Sequence, residues 1–243
     1  MTLNNKYVLI TGGARRLGRA MSLAVARAGG NVIIHHGHSI HEAREVKDQI
    51  ESQGQEAHII QADFSNREET LQVIPDALEI GPLYGLVNSA SIFQDLGWEA
   101  TAGKDWDAHL EINLTAPFLL SQAFASSLQD GATGRIINIL DWRALRPGKD
   151  HFPYTISKAG LAAMTKSLAS ALAPDILVNG LALGAILPPS DSSGNDDNNI
   201  LDHVPAERWA NVEEVQQTLL FFLTGPGYIT GEILHVDGGR HLI

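Results

Sequence analysis

The sequence predicts a single α/β domain built on a doubly wound parallel sheet of the Rossmann type, spanning residues 1–243. Three observations carry this. Short apolar, β-branched runs alternate with longer stretches of helical period, and strands separated by whole helices pair in parallel through right-handed crossovers. Runs such as VLIT at 8–11 and RIINIL at 135–140 are apolar without strict alternation, as expected of strands covered on both faces. A length of 243 residues suits one such domain with a sizeable core, and no linker composition divides it.

Taken in order, the first strand, Tyr7–Thr11, runs into Gly12, Gly13 and a helix near Leu17–Ala28. The paired glycines permit a tight turn and Gly18 a close approach of helix to strand. The second strand, Asn31–His35, ends in HHGHS before a helix near His41–Gln53. The third, Ala57–Gln61, leads through Asp63 to a helix near Arg67–Leu78. The fourth, Gly85–Asn88, ends in NSAS, and a long helical pattern covers Trp106–Leu128. The fifth, Arg135–Leu140, ends at Asp141 and is followed by a helix over Thr155–Leu172. The sixth, Ile176–Leu183, is followed by LPPSDSSGNDDNN at 187–199. That composition cannot pack a core, and it is read as a mobile part of a substrate lid. A helix at Val212–Leu223 and a last strand at Glu232–Val236 complete the sheet.

Composition excludes several function classes. A net charge of −11 with no basic stripe argues against a nucleic-acid partner. The absence of cysteine removes disulfides and thiolate chemistry. The ten histidines include no HExxH-type spacing, so no metal site is expected. No apolar run reaches the roughly eighteen residues of a membrane span, and MTLNNKY passes straight into a strand without a signal peptide. Cytoplasm is the expected location.

Candidate site residues gather at the carboxyl ends of the strands, where ligands of open α/β sheets bind. The turn at Gly12, Arg16, Leu17 and Gly18 offers a helix N-terminus to a pyrophosphate. An acidic residue ending the second strand would hold an NAD ribose; here no carboxylate precedes Glu42. His36, His38 and Ser39, with Arg15 or Arg16, suit a 2′-phosphate instead, so NADP(H) is the expected cofactor. Asp63 is placed for the adenine amino group, and Asn88, Ala90 and Ser91 leave room for the nicotinamide ribose. Gly184 and Ile186, past the sixth strand, complete the cofactor set. Tyr154 and Lys158, four apart in YTISK, share a helix face, where an ammonium lowers a phenol's pKa and fits it for proton transfer.

These pieces resemble the short-chain dehydrogenase/reductase family over essentially the whole chain: TGGARRLG, AD at 62–63, NSAS at 88–91, Asn113 in EINLTAPF, YTISK, VNG at 178–180 and ITGEILHVDGG. The resemblance implies that Tyr154 donates a proton, that Lys158 binds the nicotinamide ribose, and that Asn113 supports a relay water. Two departures narrow it. Arg16 stands where the family has glycine and Asp141 where it has serine, both as in the pteridine reductases of that family. HHGHS and NSASIF add to the likeness, which places Phe93 where that subgroup stacks an aromatic on the pterin ring. The implied activity is NADPH-dependent reduction of a dihydropterin to its tetrahydro form, of the dihydrobiopterin, dihydromonapterin or dihydrofolate type. Arg16 would span pyrophosphate and pterin carbonyl, Ser91 and Phe93 would line the substrate, and Asp141 with Tyr154 would supply the proton as one coupled acid. A carbonyl (keto or 3-oxoacyl) reductase of the same family and a non-catalytic NADP(H)-sensing protein are the alternatives. Asp141 paired only with Arg143 or Arg146 at a loop edge is the plainer reading of that residue. The resemblance also implies a homotetramer.

Overall fold

Why two cores form on one sheet is visible in its alternating side chains. The computed structural model describes residues 2–187 and 201–243. Seven parallel strands lie in the order β3-β2-β1-β4-β5-β6-β7: β1 Tyr7–Ile10, β2 Asn31–His36, β3 Ala57–Gln61, β4 Leu83–Asn88, β5 Gly134–Asp141, β6 Ile176–Leu183 and β7 Ile233–Val236. Val8, Ile10, Val32, Ile34, Val87 and Ile137 point to one face, against α1 (Arg16–Arg27), α2 (Ile40–Glu51) and α7 (Val212–Thr224). Their neighbours Leu9, Ile33, Leu86 and Ile136 point to the other, against α3 (Arg67–Ile80), α5 (Ala116–Ser127) and α6 (Phe152–Leu172). Helices on both faces explain why the strand sequences are apolar throughout.

Strand order reverses between β1 and β4, which opens the crevice at the carboxyl ends of β1, β2, β4, β5 and β6. Caps fix the helix starts locally: Asn66 accepts from the Glu68 N–H at 3.0 Å, and Glu214 accepts from the Asn211 N–H at 2.7 Å.

The expected helix over 106–128 is not continuous. It divides into α4 (Gly103–Leu110), a single π turn over Glu111–Thr115, and α5. Pro117, in the first turn of α5, has no N–H to offer the Asn113 carbonyl four residues back, so the regular hydrogen-bond ladder lacks a rung at this point. The π turn is the local solution, of a kind often found at functional sites. The other bounds agree with those expected to within three residues, and those of β3 and β6 coincide with them. The suggested lid at 187–199 lies, past Leu187, outside the described residues. Among the described residues no helix is long and apolar enough to cross a membrane.

Candidate active site

The turn after β1 is built by backbone needs. Gly12 has φ +64, and a Cβ there would lie 3.0 Å from the Ala90 Cα; at Gly18 a Cβ would meet the Gly12 carbonyl oxygen at 2.0 Å. Only glycine permits either approach. Thr11 ties the turn to the end of β4: its Oγ1 accepts from the N–H groups of Ser89 and Ala90 at 2.8 and 3.0 Å. His35 ties it to β2 and β3. The Gly12 N–H donates to His35 Nδ1 at 3.1 Å, so the ring proton sits on Nε2, which donates to the Ala62 carbonyl at 3.0 Å. Phe64 stacks on this ring at 4.1 Å, and burial pulls its pKa down to about 4. His35 is therefore neutral and rigid. The sequence marks Thr11 and His35 only as parts of strand ends; their roles arise from contacts between strands.

Arg16 explains its own oddity. Its φ is +48, a left-handed conformation that glycine adopts freely and other residues adopt at a cost of about 1–2 kcal/mol. The arginine occupies a glycine's backbone, and such strain collects at functional sites.

At the adenosine end, His36 is buried with both ring nitrogens unpartnered. His38 is exposed, 3.5 Å from the Asp63 carboxylate, while Glu42 lies 3.6 Å from Arg15. Asp63 also accepts from the Ser65 N–H at 2.9 Å, and that bond holds its carboxyl below the ordinary range despite partial burial. Orphaned imidazole nitrogens beside a left-handed glycine cradle fit a dinucleotide: the buried ring can donate to a phosphate, and the turn's N–H groups can face a pyrophosphate. Ser39 precedes the first turn of α2.

Four cofactor candidates also serve the packing of the fold. Asn88 turns its side chain into the packing, donating to Asn138 Oδ1 at 2.8 Å, and Asn138 donates to Thr165 at 2.9 Å; it braces the sheet. Ile186 buries its side chain in the core, so only its backbone can face the crevice. Gly184 is required by packing, since a Cβ there would lie 2.6 Å from the Asp237 Cα. Leu17 packs partly buried against the same core as Ile186.

The reacting end is formed by β5, α6 and the loop after β4. Lys158 is buried and donates to the Ile139 carbonyl at 2.8 Å; its ammonium lies 5.8 Å from the Tyr154 ring centroid. Asp141 closes the group: one carboxylate oxygen accepts from the Tyr154 hydroxyl at 3.3 Å, the other from the Arg143 N–H at 2.8 Å. Arg143 Nη1 is 3.5 Å from Asp141 and Nη2 donates to Asp150 at 2.8 Å. The ion pair with Arg143 thus exists, yet it does not exclude the bond to Tyr154. Burial pushes the Asp141 carboxyl above its ordinary range against the pull of Arg143. Burial, then Asp141, push the Tyr154 phenol well above its own. The expected lowering of Tyr154 by Lys158 is overridden, because both groups are dry and burial drives the ammonium itself down to about 8. Tyr154 is held as an acid, with its proton.

Phe93 is half exposed, not a core residue. It meets Tyr154 edge-on at 4.6 Å and stacks on His151 at 4.0 Å. His151, left-handed at the start of α6, is pinned through Nδ1 to the Gln94 carbonyl at 2.9 Å; no sequence pattern marks it. Asn113 spends its side chain on structure, accepting from the Ile92 N–H at 2.9 Å and from Ser91 at 3.1 Å, and donating to the Ile92 carbonyl and Ser157 at 3.0 and 3.1 Å. Only its main-chain carbonyl remains for a relay water. Ser91 is thereby tied to the same knot.

The arrangement can deliver one proton from a buried phenol–carboxyl pair to an atom lying against Phe93, beside a dinucleotide crevice. Comparison agrees with that frame. Residues 6–199 match the family model for short chain dehydrogenases. A 3-oxoacyl-[acyl-carrier-protein] reductase of Synechocystis sp. is 34% identical over 241 residues, 98% of this chain and 97% of that protein. The alternative dihydrofolate reductase FolM of Brucella canis, solved with NADP, superposes with a TM-score of 0.94 at 34% identity, covering 100% of this chain and 96% of that one. A blue fluorescent protein from a metagenomic library, solved with NADPH, gives a TM-score of 0.91 at 31% identity, covering 99% of each chain. With the parallel sheet, the glycine turn and the Tyr154–Lys158 pair in place, the chain belongs to the short-chain dehydrogenase family.

Proposed function

We propose that this protein is an NADPH-dependent reductase of pterins that takes a dihydropterin to its tetrahydro form. The observation that carries the reading is Asp141, hydrogen-bonded to the Tyr154 hydroxyl at 3.3 Å beneath the half-exposed Phe93. Reduction of a ring C=N bond needs a proton at nitrogen as well as hydride at carbon, and a carboxylic acid relays a proton to nitrogen where a serine would only orient a carbonyl. The likeness to the FolM reductase of Brucella canis, bound to NADP, supports both substrate class and cofactor.

In this reading the turn at Gly12, Arg16, Leu17 and Gly18 and the backbone at Ala90, Gly184 and Ile186 hold NADP(H), with His36, His38 and Ser39 at its 2′-phosphate and Asp63 at adenine. The bound nicotinamide supplies the hydride. Phe93 and Ser91 confine the flat ring, Arg16 orients its carbonyl edge, and Asp141 with Tyr154 holds the proton. Lys158 keeps the ribose side cationic, and the Asn113 carbonyl holds the water that returns the proton. A cytoplasmic homotetramer is part of the same proposal; light scattering giving four times the chain mass checks the assembly.

A second reading, reduction of 3-oxoacyl thioesters, is favoured by the curated relatives. NADPH oxidation assayed with dihydrobiopterin, dihydromonapterin, dihydrofolate and a panel of 3-oxoacyl thioesters and simple ketones separates the two. Turnover confined to the ketone and thioester arms overturns the pterin assignment. A protein that binds NADPH and turns over nothing is a sensor.

Arg16→Gly tests the strained turn. Relief of the left-handed φ and the extra freedom glycine gives the unfolded chain nearly cancel, so Tm should move by no more than about 3 °C. Pterin kcat/KM should fall at least about tenfold, the size of one charge-assisted hydrogen bond. An unchanged kcat/KM would confine Arg16 to the backbone turn.

A further inference from the structure

Trp142 follows Asp141 directly, and two guanidinium groups lie against its indole, Arg143 at 4.8 Å and Arg240 at 4.5 Å from the ring centroid. The two are not equivalent. Arg143 is committed to Asp141 and Asp150. The Arg240 guanidinium makes no ion pair or hydrogen bond with a described residue, and its Nε is buried. A partly buried cation without a direct partner is costly, and here burial and the nearby Arg143 pull its pKa below the ordinary range against the weaker attraction of Asp141, Asp150 and Asp237.

The fold nevertheless fixes this side chain in place. Gly238 and Gly239 turn the chain after β7 with φ +62 and +86. A Cβ on Gly238 would lie 2.7 Å from Val204. The buried Asp237 carboxylate accepts from the N–H groups of Gly239 and His241 at 3.0 and 2.9 Å and from His241 Nδ1 at 2.8 Å. Arg146 donates to the Arg240 carbonyl at 3.4 Å. The short helical turn Arg240–Leu242 is thus braced against the turn Trp142–Ala144 that begins at Asp141. A guanidinium stacked on an indole spends its face on the ring and leaves edge donors in its own plane, the geometry that receives a carboxylate.

We propose that Arg240, stacked on Trp142, receives a carboxylate on the substrate's tail, on the side of Asp141 away from the nicotinamide. The inference rests on the pterin reading and narrows it: the preferred substrate is a pterin with an anionic extension, not one with a neutral side chain. Trp142 is the platform on which the guanidinium rests, and Arg143 is the fixed cation that takes the direct ion pairs with Asp141 and Asp150.

The test is steady-state kinetics at saturating NADPH with dihydrofolate, whose tail carries carboxylates, and dihydrobiopterin, whose tail is neutral. Arg240→Gln should raise the dihydrofolate KM at least about tenfold with kcat within about twofold, and leave both constants for dihydrobiopterin unchanged. Arg240→Lys should recover only part of the loss, because a point charge lacks the planar fork. In the wild type, the dihydrofolate KM should climb with ionic strength while that of dihydrobiopterin stays flat; this arm stands even if a variant folds poorly. Equal KM changes for the two substrates, or a salt-independent dihydrofolate KM, overturns the inference while leaving pterin reduction intact. Failure of the wild type to reduce either pterin overturns the pterin reading itself, and the carboxylate subsite with it.

Discussion

Asp141→Ser is expected to depress dihydropterin reduction by roughly 10²–10⁴-fold, the usual loss on removing a general acid. NADPH affinity should change by less than about twofold, because Asp141 touches Tyr154 and Arg143 and not the glycine turn. The size follows from the chemistry of the product. In ketone reduction the phenol protonates the oxygen that hydride transfer has just charged, and a serine beside it suffices. In ring-imine reduction the accepting atom is a nitrogen, and the phenol of this structure is pushed well above its ordinary pKa by burial and by Asp141. Such a phenol gives up its proton only if a second acid shares the charge, and the buried carboxyl, itself pushed up, is poised to hold that proton. The pair titrates as a unit, so removing one member cannot be repaired by the other. A converse expectation makes the test sharp: any ketone activity of the wild type should survive or grow in the serine variant. Pterin rates within threefold of wild type would remove Asp141 from proton delivery and leave it as the partner of Arg143.

The fold could be read from the chain because its two controlling signals are local. Strands covered on both faces are continuous apolar runs, and the spacing between them admits only helical crossovers; the alternation of Leu9 with Val8 and Ile10 between two cores needs no further information. The break at Pro117 was equally local, yet the apolar period running through 106–128 masks it, because a π turn shifts the face by only one residue. In the site, Tyr154, Lys158, Gly12 and Gly18 were legible because their chemistry depends on spacing within one element. The inward turn of the Asn88 side chain is not legible, because the strand end offers two directions and only the packing of Asn138 and Thr165 beneath it decides. His35, His151 and Arg240 were illegible for a shared reason. Each acts through a partner distant in sequence: Gly12 and Ala62 for the first, Phe93 and Gln94 for the second, Trp142 for the third. A lone histidine or arginine carries no pattern by which such a partner could be named.

Lys158→Met is expected to stabilise the protein at pH 7 while abolishing turnover. Lys158 is buried beneath Tyr154, and its pKa falls from 10.5 to about 8 because the charged form is poorly solvated there. Between those values the unfolded chain binds a proton that the folded chain releases. Wild-type stability therefore rises with pH across that window, and the burial penalty is fully present below about pH 8. A shift of that size corresponds to about 3 kcal/mol at most. The methionine leaves the Ile139 carbonyl without its donor, a loss of about 1 kcal/mol, so a net gain of about 1–2 kcal/mol remains. For a chain of this length that raises Tm by roughly 3–6 °C at pH 7. Since the penalty belongs to the ammonium, the difference between variant and wild type should shrink steadily from pH 8 towards pH 10. Thermal melts at pH 7 and pH 9.5 read both effects. A methionine variant that melts below the wild type at pH 7, or a gap that widens with pH, would mean that the lysine's bond to Ile139 outweighs its burial. The expected outcome instead places Lys158 among residues retained against the stability of the fold, which is the mark of a group kept for chemistry.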